Sequence, residues 1–318
     1  MTRPGPEERP FLWTVPQAVK DVLPKSIRTI FNCPEDEPFQ VVRNLDVADL
    51  FAGTARIARW AELLSLKAVA LDMSYSEHLN LLDNMGLALA IIALLRVRAG
   101  GLCFLGPQCS SWIWLSRSVT KRSPRDPLGD ASIPCVYDGN KLNRVVGLLV
   151  TIAFLINVEW VVEQPSSSLF FHTQLWRAIL REQNPWQRWL NLKVFGHASQ
   201  KATLLIGTQR SLASMGKELS NQAKIRGSRK CGKPSPAKAK AKAKAKAKAK
   251  ASFKVKAKAT VKRAPKATAA KTPSASGGDG KRKVTGDPEK LKESQEYPVK
   301  FALAVVKGHF PEAAAASR

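Results

Sequence analysis

The chain has 318 residues, 44% of them hydrophobic, and carries 51 Lys plus Arg against 25 Asp plus Glu, a net charge of +26. That apolar fraction suffices for one sizeable core and excludes both a miniprotein and a wholly disordered chain. The charge is unevenly placed: 22 Lys or Arg and a single acid, Asp279, lie between Lys224 and Lys283, so this stretch holds +21 and the remainder only +5. A polyanionic partner is therefore expected for the basic stretch, and the rest is nearly balanced. Cys33, Cys103, Cys109, Cys135 and Cys231 form no C-x-x-C pair and no even set, which points to free thiols in a reducing compartment and away from a metal site. The start, MTRPGPEERPFLW, places acids and prolines where a secretory signal needs a basic start and an apolar run. Secretion is not expected. The longest uncharged apolar stretch, Val145 to Val158, is shorter than the ~17 to 25 residues of a membrane span, so no membrane partner is expected either.

Residues 1–40 are rich in Pro and charge and read as an N-terminal arm, with a short helix over Trp13–Ile30 interrupted at Pro16 and Pro24. From Val41, VVRNLDVADLF predicts a strand ending in Ala52 and Gly53, and ARIARWAELLSL a helix whose apolar residues recur at helical spacing. KAVALDM predicts a second strand ending at Asp72. GLALAIIALLRVR (86–98) predicts an apolar helix stopped by Gly100 and Gly101, and GLCFLG a third strand. A polar loop from Pro107 to Asn140 precedes a long apolar helix over 141–157. WVVEQP then reads as a buried strand, SLFFHTQLWRAILRE as an amphipathic helix, and KVFG with TLLIGT as a terminal hairpin. This alternation over 41–210 predicts an α/β fold: a Rossmann-like, mainly parallel sheet with helices on both faces, its ligands bound beyond the carboxyl ends of the strands. Residues 211–290 form a basic low-complexity segment, expected to be a disordered Lys/Ala-rich tail because Lys at alternate positions would surround any helix with like charge. Within 291–312, EYPVKFALAVVKGHF regains apolar spacing and predicts a helix that returns to the core.

Three predicted strands end in residues suited to chemistry. Asp49-Leu50-Phe51-Ala52-Gly53-Thr54-Ala55 is a small-residue turn that lets a ligand approach the backbone and aims a helix N-terminus at it. Asp72, ending the next strand, is placed to accept hydrogen bonds from ribose hydroxyls, which suits an adenosyl or a nicotinamide cofactor alike. Leu105-Gly106-Pro107-Gln108-Cys109-Ser110 sets a thiol on a rigid turn, where an activated nucleophile or an inert buried cysteine would both fit. The other four cysteines have no such setting. Val162-Glu163-Gln164-Pro165 ends an apolar strand in a carboxylate that burial makes costly unless it is paired or binds a donor. Ser166 to Ser168 can cap the helix that follows, which leaves Glu163 without a structural task.

Taken in this order, the DLFAG turn, the Pro-x-Cys-Ser strand end and the Glu-x-Pro strand end resemble the DNA (cytosine-5) methyltransferases, over about Asp46 to Thr208. The resemblance implies an S-adenosyl-L-methionine enzyme with cofactor contacts at Asp49, Phe51, Ala52, Gly53, Thr54, Asp72 and Pro107. It implies Cys109 as the catalytic nucleophile and Glu163 as the group gripping the cytosine edge. Gln108 stands where the family has a second Pro, and Gln164 and Pro165 stand where it has Asn and Val. FGHASQKATLLIGT matches a later family segment at Phe195, Gly196, Gln200 and Gly207, but its arginine pair is missing unless Lys201 replaces one member. YPVKFALAVV is similar to the family's last helix, which returns to the cofactor site. The Lys-Ala tract stands where the family carries its target-recognition domain.

Arg117, Lys121, Arg122 and Arg125, interleaved with Trp112 and Trp114, follow Cys109, and with Lys201 they are candidate nucleic-acid contacts, since cations beside aromatics suit phosphate and base stacking. DNA or another nucleic acid is the expected partner, through this loop and the Lys-rich tail, and KRK at 281–283 suggests the nucleus. Two other functions fit the residues: a non-catalytic chromatin or nucleic-acid binding protein on a methyltransferase scaffold, and an NAD-type oxidoreductase. The second lacks a Tyr-x-x-x-Lys or a His strand end.

Overall fold

The computed structural model describes residues 12–30, 39–198, 200–213, 215 and 296–316, all within one compact unit formed by 1–219 and 288–318. Its centre is a six-stranded sheet. Strands β3 (Leu45–Leu50), β4 (Ala68–Leu71), β5 (Val97–Leu105) and β6 (Glu159–Pro165) run parallel, and β8 (Ala202–Gly207) lies antiparallel between β6 and β7 (Trp186–Asn191). The order is β4-β3-β5-β6-β8-β7. The chain steps outward from β3 to β4 and then returns to the other side of β3 for β5. The strand order therefore reverses between β3 and β5, and this crevice is where an open α/β sheet binds ligands.

Alternate strand residues feed two apolar layers, as the period-2 geometry of a strand buried on both sides requires. On one face Ala48, Leu50, Cys103, Leu105, Trp160 and Val162 pack with α4 (Asn84–Leu95), α6 (Pro134–Leu155) and α7 (Gln174–Gln183). On the other, Val47, Leu102, Phe104, Val161 and Leu205 pack with α3 (Arg56–Leu63) and with α8 (Val299–His309), followed by α9 (Pro311–Ala316). Asp49 and Glu163 occupy this second face by the same alternation. The predicted α/β class, with a mainly parallel sheet between helical layers, is the observed one.

Several boundaries differ from the sequence reading. The segment read as an arm forms α1 (Gln17–Val22) and α2 (Lys25–Ile30), and its first strand β1 (Leu12–Thr14) pairs with β2 (Gln40–Val42). Val15, Val19, Leu23 and Ile27 from it enter the first apolar layer, a helical i, i+4 stripe that Pro16 and Pro24 start rather than break. Helix α4 ends at Leu95, and Arg98 to Gly101 belong to β5, where Leu45 faces Val97 but Val47 faces Leu102. Gly100, at φ +71°, and Gly101, where a Cβ would lie 2.7 Å from the Asp46 carbonyl oxygen, build a bulge in the strand and do not stop the helix.

Helix α6 starts at Pro134 rather than at 141, because Pro is well suited to a first helical turn that needs no amide donor. The final hairpin pairs β8 with β7, whereas KVFG is part of a 3-10 turn, Leu192–Phe195, that buries Leu192 and Phe195. The amphipathic segment after β6 divides into a 3-10 turn, Phe170–His172, and α7, capped by the Thr173 hydroxyl accepting the Trp176 amide. Beyond Met215, the basic segment expected to be disordered lies outside the described residues, as do Cys33, Cys231 and KRK at 281–283. Among the described residues no helix is long and apolar enough to cross a membrane.

Candidate active site

The turn leaving β3 is strained in a way that opens its backbone. Phe51, Gly53 and Ala55 all take left-handed φ values, 59°, 53° and 54°, and non-glycine residues in this region cost of order 1–3 kcal/mol each, a feature that clusters at functional turns. A Cβ at Gly53 would meet nothing within 4 Å, so there is room above this turn. The Gly53 amide donates to Asp72 Oδ2 at 2.9 Å, and the Tyr75 hydroxyl donates to the Gly53 carbonyl at 2.6 Å. Asp72 thus ties the end of β4 to the turn, with Ala52 buried and Thr54 half-buried beside it. Asp49 lies below, 1% exposed, and its Oδ2 accepts the Ala58 amide of α3 at 3.2 Å. Burial pushes its carboxyl up to about 8. Asp49, expected to contact a cofactor, instead fastens the helix behind the turn.

At the ends of β5 and β6 four side chains converge. Glu163 is 5% exposed; its Oε2 accepts the Tyr297 hydroxyl at 3.2 Å, and its Oε1 lies 3.7 Å from Lys201 Nζ with no hydrogen-bond partner. Cys109 is half-buried and feels both charges. Burial pushes its thiol up, the Glu163 carboxylate adds to this, and the Lys201 ammonium pulls it down. Burial, then Glu163 and Asp49, hold the Tyr297 phenol well above its ordinary value. Pro107 is buried, and its carbonyl accepts from Gln164 Nε2 at 2.8 Å. Gln164 points to the opposite face from Glu163, and its Oε1 accepts the Ser168 hydroxyl at 2.9 Å, so one strand end presents the carboxylate and braces the turn that carries Cys109.

The structure thus brings Cys109, Glu163 and Lys201 together near Pro107, and Phe51, Gly53, Thr54 and Asp72 lie at the ends of the neighbouring strands β3 and β4. The loop after Cys109 divides differently. Trp112 is fully buried, packed on Phe170, with the Arg122 guanidinium 3.5 Å from its ring centroid. Arg122 is 2% exposed and donates to the carbonyls of Pro127, Leu128 and Val136 and to Asn140 Oδ1. Expected as nucleic-acid contacts, these two form the inside of the loop, because the guanidinium satisfies carbonyls that the irregular backbone leaves unpaired. Trp114, Lys121 and Arg125 face solvent, and Arg117, which opens the one-turn helix α5 (Arg117–Thr120), stacks on Trp114 at 4.7 Å.

Two residues of the site were given no role of their own in the sequence: Gln164, read only as standing where the resembling family has Asn, and Tyr297, read only within the returning segment. A buried Gln in an apolar strand is itself a signal, since its amide needs partners. Tyr297 had no local signal. A cavity of about 400 Å³ beside it is lined by Arg56, His197, Glu296, Tyr297 and Lys300 among others, and Cys109, Glu163 and Gly53 are not in that lining. Among the described residues no cluster of three or more His, Cys, Asp or Glu could hold a metal ion. No protein-family model matches the chain, and no curated protein matches it.

Proposed function

We propose that the chain is an S-adenosyl-L-methionine-dependent methyltransferase acting on carbon 5 of cytosine in DNA. The observation that carries this reading is the meeting of Cys109, Glu163 and Lys201 beside the open turn at Gly53, at the point where the strand order reverses. Residues Phe51 to Thr54 and Asp72 fit the cofactor: the turn is unobstructed above Gly53 and an acid ends the neighbouring strand. Bound there, the cofactor supplies an electrophilic methyl group.

The chain's own residues do the rest. The Cys109 thiolate adds to carbon 6 of the ring, forming a C–S bond and moving the ring's electron pair toward carbon 5, the atom to be methylated. Glu163 accepts a hydrogen bond from the exocyclic amine and, in its acid form, donates one to ring nitrogen 3, stabilising the negative charge that addition builds on that nitrogen. Once carbon 5 carries its methyl group, a base takes its proton; the electron pair restores the double bond and expels the Cys109 sulfur. Lys201, beside Glu163, favours the thiolate, opposing burial and the Glu163 carboxylate, which favour the thiol. Access to the base requires a flipped or single-stranded cytosine. Trp114, Arg117, Lys121 and Arg125 would meet the strand, the Lys-rich segment would hold DNA without sequence preference, and KRK at 281–283 would direct the chain to the nucleus.

The test is covalent trapping. DNA containing 5-fluorocytosine, incubated with labelled cofactor, is expected to give an adduct with the wild type and none with Cys109→Ala; an adduct with neither protein rejects the mechanism. A second reading, a nucleic-acid binding protein without catalysis on the same scaffold, draws on the Tyr297 phenol beside Glu163 and on the raised thiol of Cys109. Calorimetry decides between them at the first step: no heat with S-adenosyl-L-methionine favours the scaffold.

A further inference from the structure

The crevice at the strand-order reversal already holds a ring from the chain itself. A Cβ built on Gly106 would lie 2.5 Å from the Tyr297 hydroxyl and 3.4 Å from the Phe51 carbonyl oxygen. The phenol therefore rests on bare backbone where β5 ends, beside the end of β3, and only glycine at 106 leaves room for it. Its hydroxyl donates to Glu163 Oε2 at 3.2 Å, its ring meets Phe104 edge-on at 5.6 Å, and Lys201 Nζ lies 5.7 Å from its centroid. A flat ring, a donor turned to Glu163 and a cation on its face are also what a pyrimidine with an exocyclic amine would require of this cleft.

We propose that Tyr297 is an intramolecular occupant of the base cleft, and that the strap Glu296–Pro298 withdraws before a pyrimidine enters. The identity of the entrant rests on the methyltransferase reading; the strap does not. Two contacts close it: the Glu296 carboxylate pairs with Arg56 at the start of α3, and Tyr297 pairs with Glu163. Downstream, Phe301 is fully buried against Phe104 and Phe195, so α8 is the fixed end and the strap swings about Pro298. Arg56 directly follows the turn at Gly53 to Ala55, which places one latch of the strap at the rim expected to receive the cofactor.

Thiol labelling of the full chain tests this without assuming any activity. Native protein is treated with iodoacetamide and peptides are followed by mass spectrometry, with buried Cys103 reporting unfolding and exposed Cys135 reporting reagent. Glu296→Gln is expected to speed Cys109 labelling roughly threefold, the worth of a half-exposed ion pair. Tyr297→Ala is expected to speed it about tenfold, the worth of one hydrogen bond to a charged group, while Cys103 stays unlabelled. Unchanged Cys109 labelling in both variants, or wild-type Cys109 reacting as fast as Cys135, overturns the strap. If Tyr297→Ala exposes Cys103, Tyr297→Phe and Glu296→Gln decide on the same criterion. Faster labelling with no adduct on 5-fluorocytosine DNA in any variant rejects methyl transfer and keeps the strap; adduct formation equally fast in wild type and Glu296→Gln does the reverse.

Discussion

Asp49 shows how one carboxyl in an apolar layer couples the fold's stability to pH. Its side chain sits in the second apolar layer with the Ala58 amide as its hydrogen-bond donor, and desolvation outweighs that bond, so the proton is held up to about 8 instead of 3.8. The folded state therefore binds a proton that the unfolded chain releases, and the stability this contributes below pH 3.8 is lost progressively as pH rises toward about 8. Asp49→Asn keeps an acceptor for Ala58 and does not titrate. Its advantage in urea unfolding over the wild type is expected to be near zero at about pH 4 and to grow to a few kcal/mol by about pH 8; an advantage that stays flat across this range contradicts the burial account. At Cys109 the balance runs through neighbours as well as burial, since Glu163 and Lys201 pull its thiol in opposite directions.

The loop after Cys109 is the element whose reading changed most. Trp112 and Trp114 are two residues apart among Ser and Arg, and nothing in the pattern separates them; a short 3-10 turn at Trp114–Ser116 sends one inward and the other out. Opposite outcomes follow. Trp112→Ala is expected to cost about 3–5 kcal/mol in chemical denaturation, because it empties a fully buried site under Arg122 and beside Phe170. Trp114→Ala is expected to leave stability within about 0.5 kcal/mol. It should weaken single-strand binding, read by fluorescence anisotropy, by ~1–3 kcal/mol, the worth of one stacked base. Loss of stability with Trp114→Ala and none with Trp112→Ala would reverse the assignment. Strand β7 was missed and the start of β5 was set too late, for related reasons. On the edge strand β7 the large apolar Trp186 and Trp189 are exposed and Arg188 is on the covered side, so hydropathy does not follow burial there, and the Gly100–Gly101 bulge imitates a helix stop.

For the molecule as a whole, charge and fold are separable. The sheet and its two layers are built from the nearly neutral part of the chain, while 22 cations lie between Lys224 and Lys283. Replacing that stretch by a neutral Gly/Ser linker of equal length keeps α8 tethered. The thermal midpoint is expected to move by no more than about 2 °C. The dependence of log affinity for DNA on log salt should become shallower by about 0.7–0.9 for each phosphate contact removed. An unchanged salt slope would mean that the tract does not hold the strand.

Periodicity and strand-end chemistry were enough to recover the α/β class, the parallel core, the turns at Gly53 and Cys109 and the carboxylate near the end of β6, because each of these is a local fact: alternation, a small-residue bend, a polar side chain closing an apolar run. Tyr297 is different. It lies 134 residues from its partner Glu163, across the basic tract, and reaches it because α8 is drawn onto the sheet by Phe301 and Val305. Arg122 satisfying loop carbonyls and Asp49 turned beneath its own bend are likewise decided by where packing leaves unpaired polar groups, and composition carries no trace of that. Burial is a property of the assembled layers, so the residues it governs became legible when the layers closed.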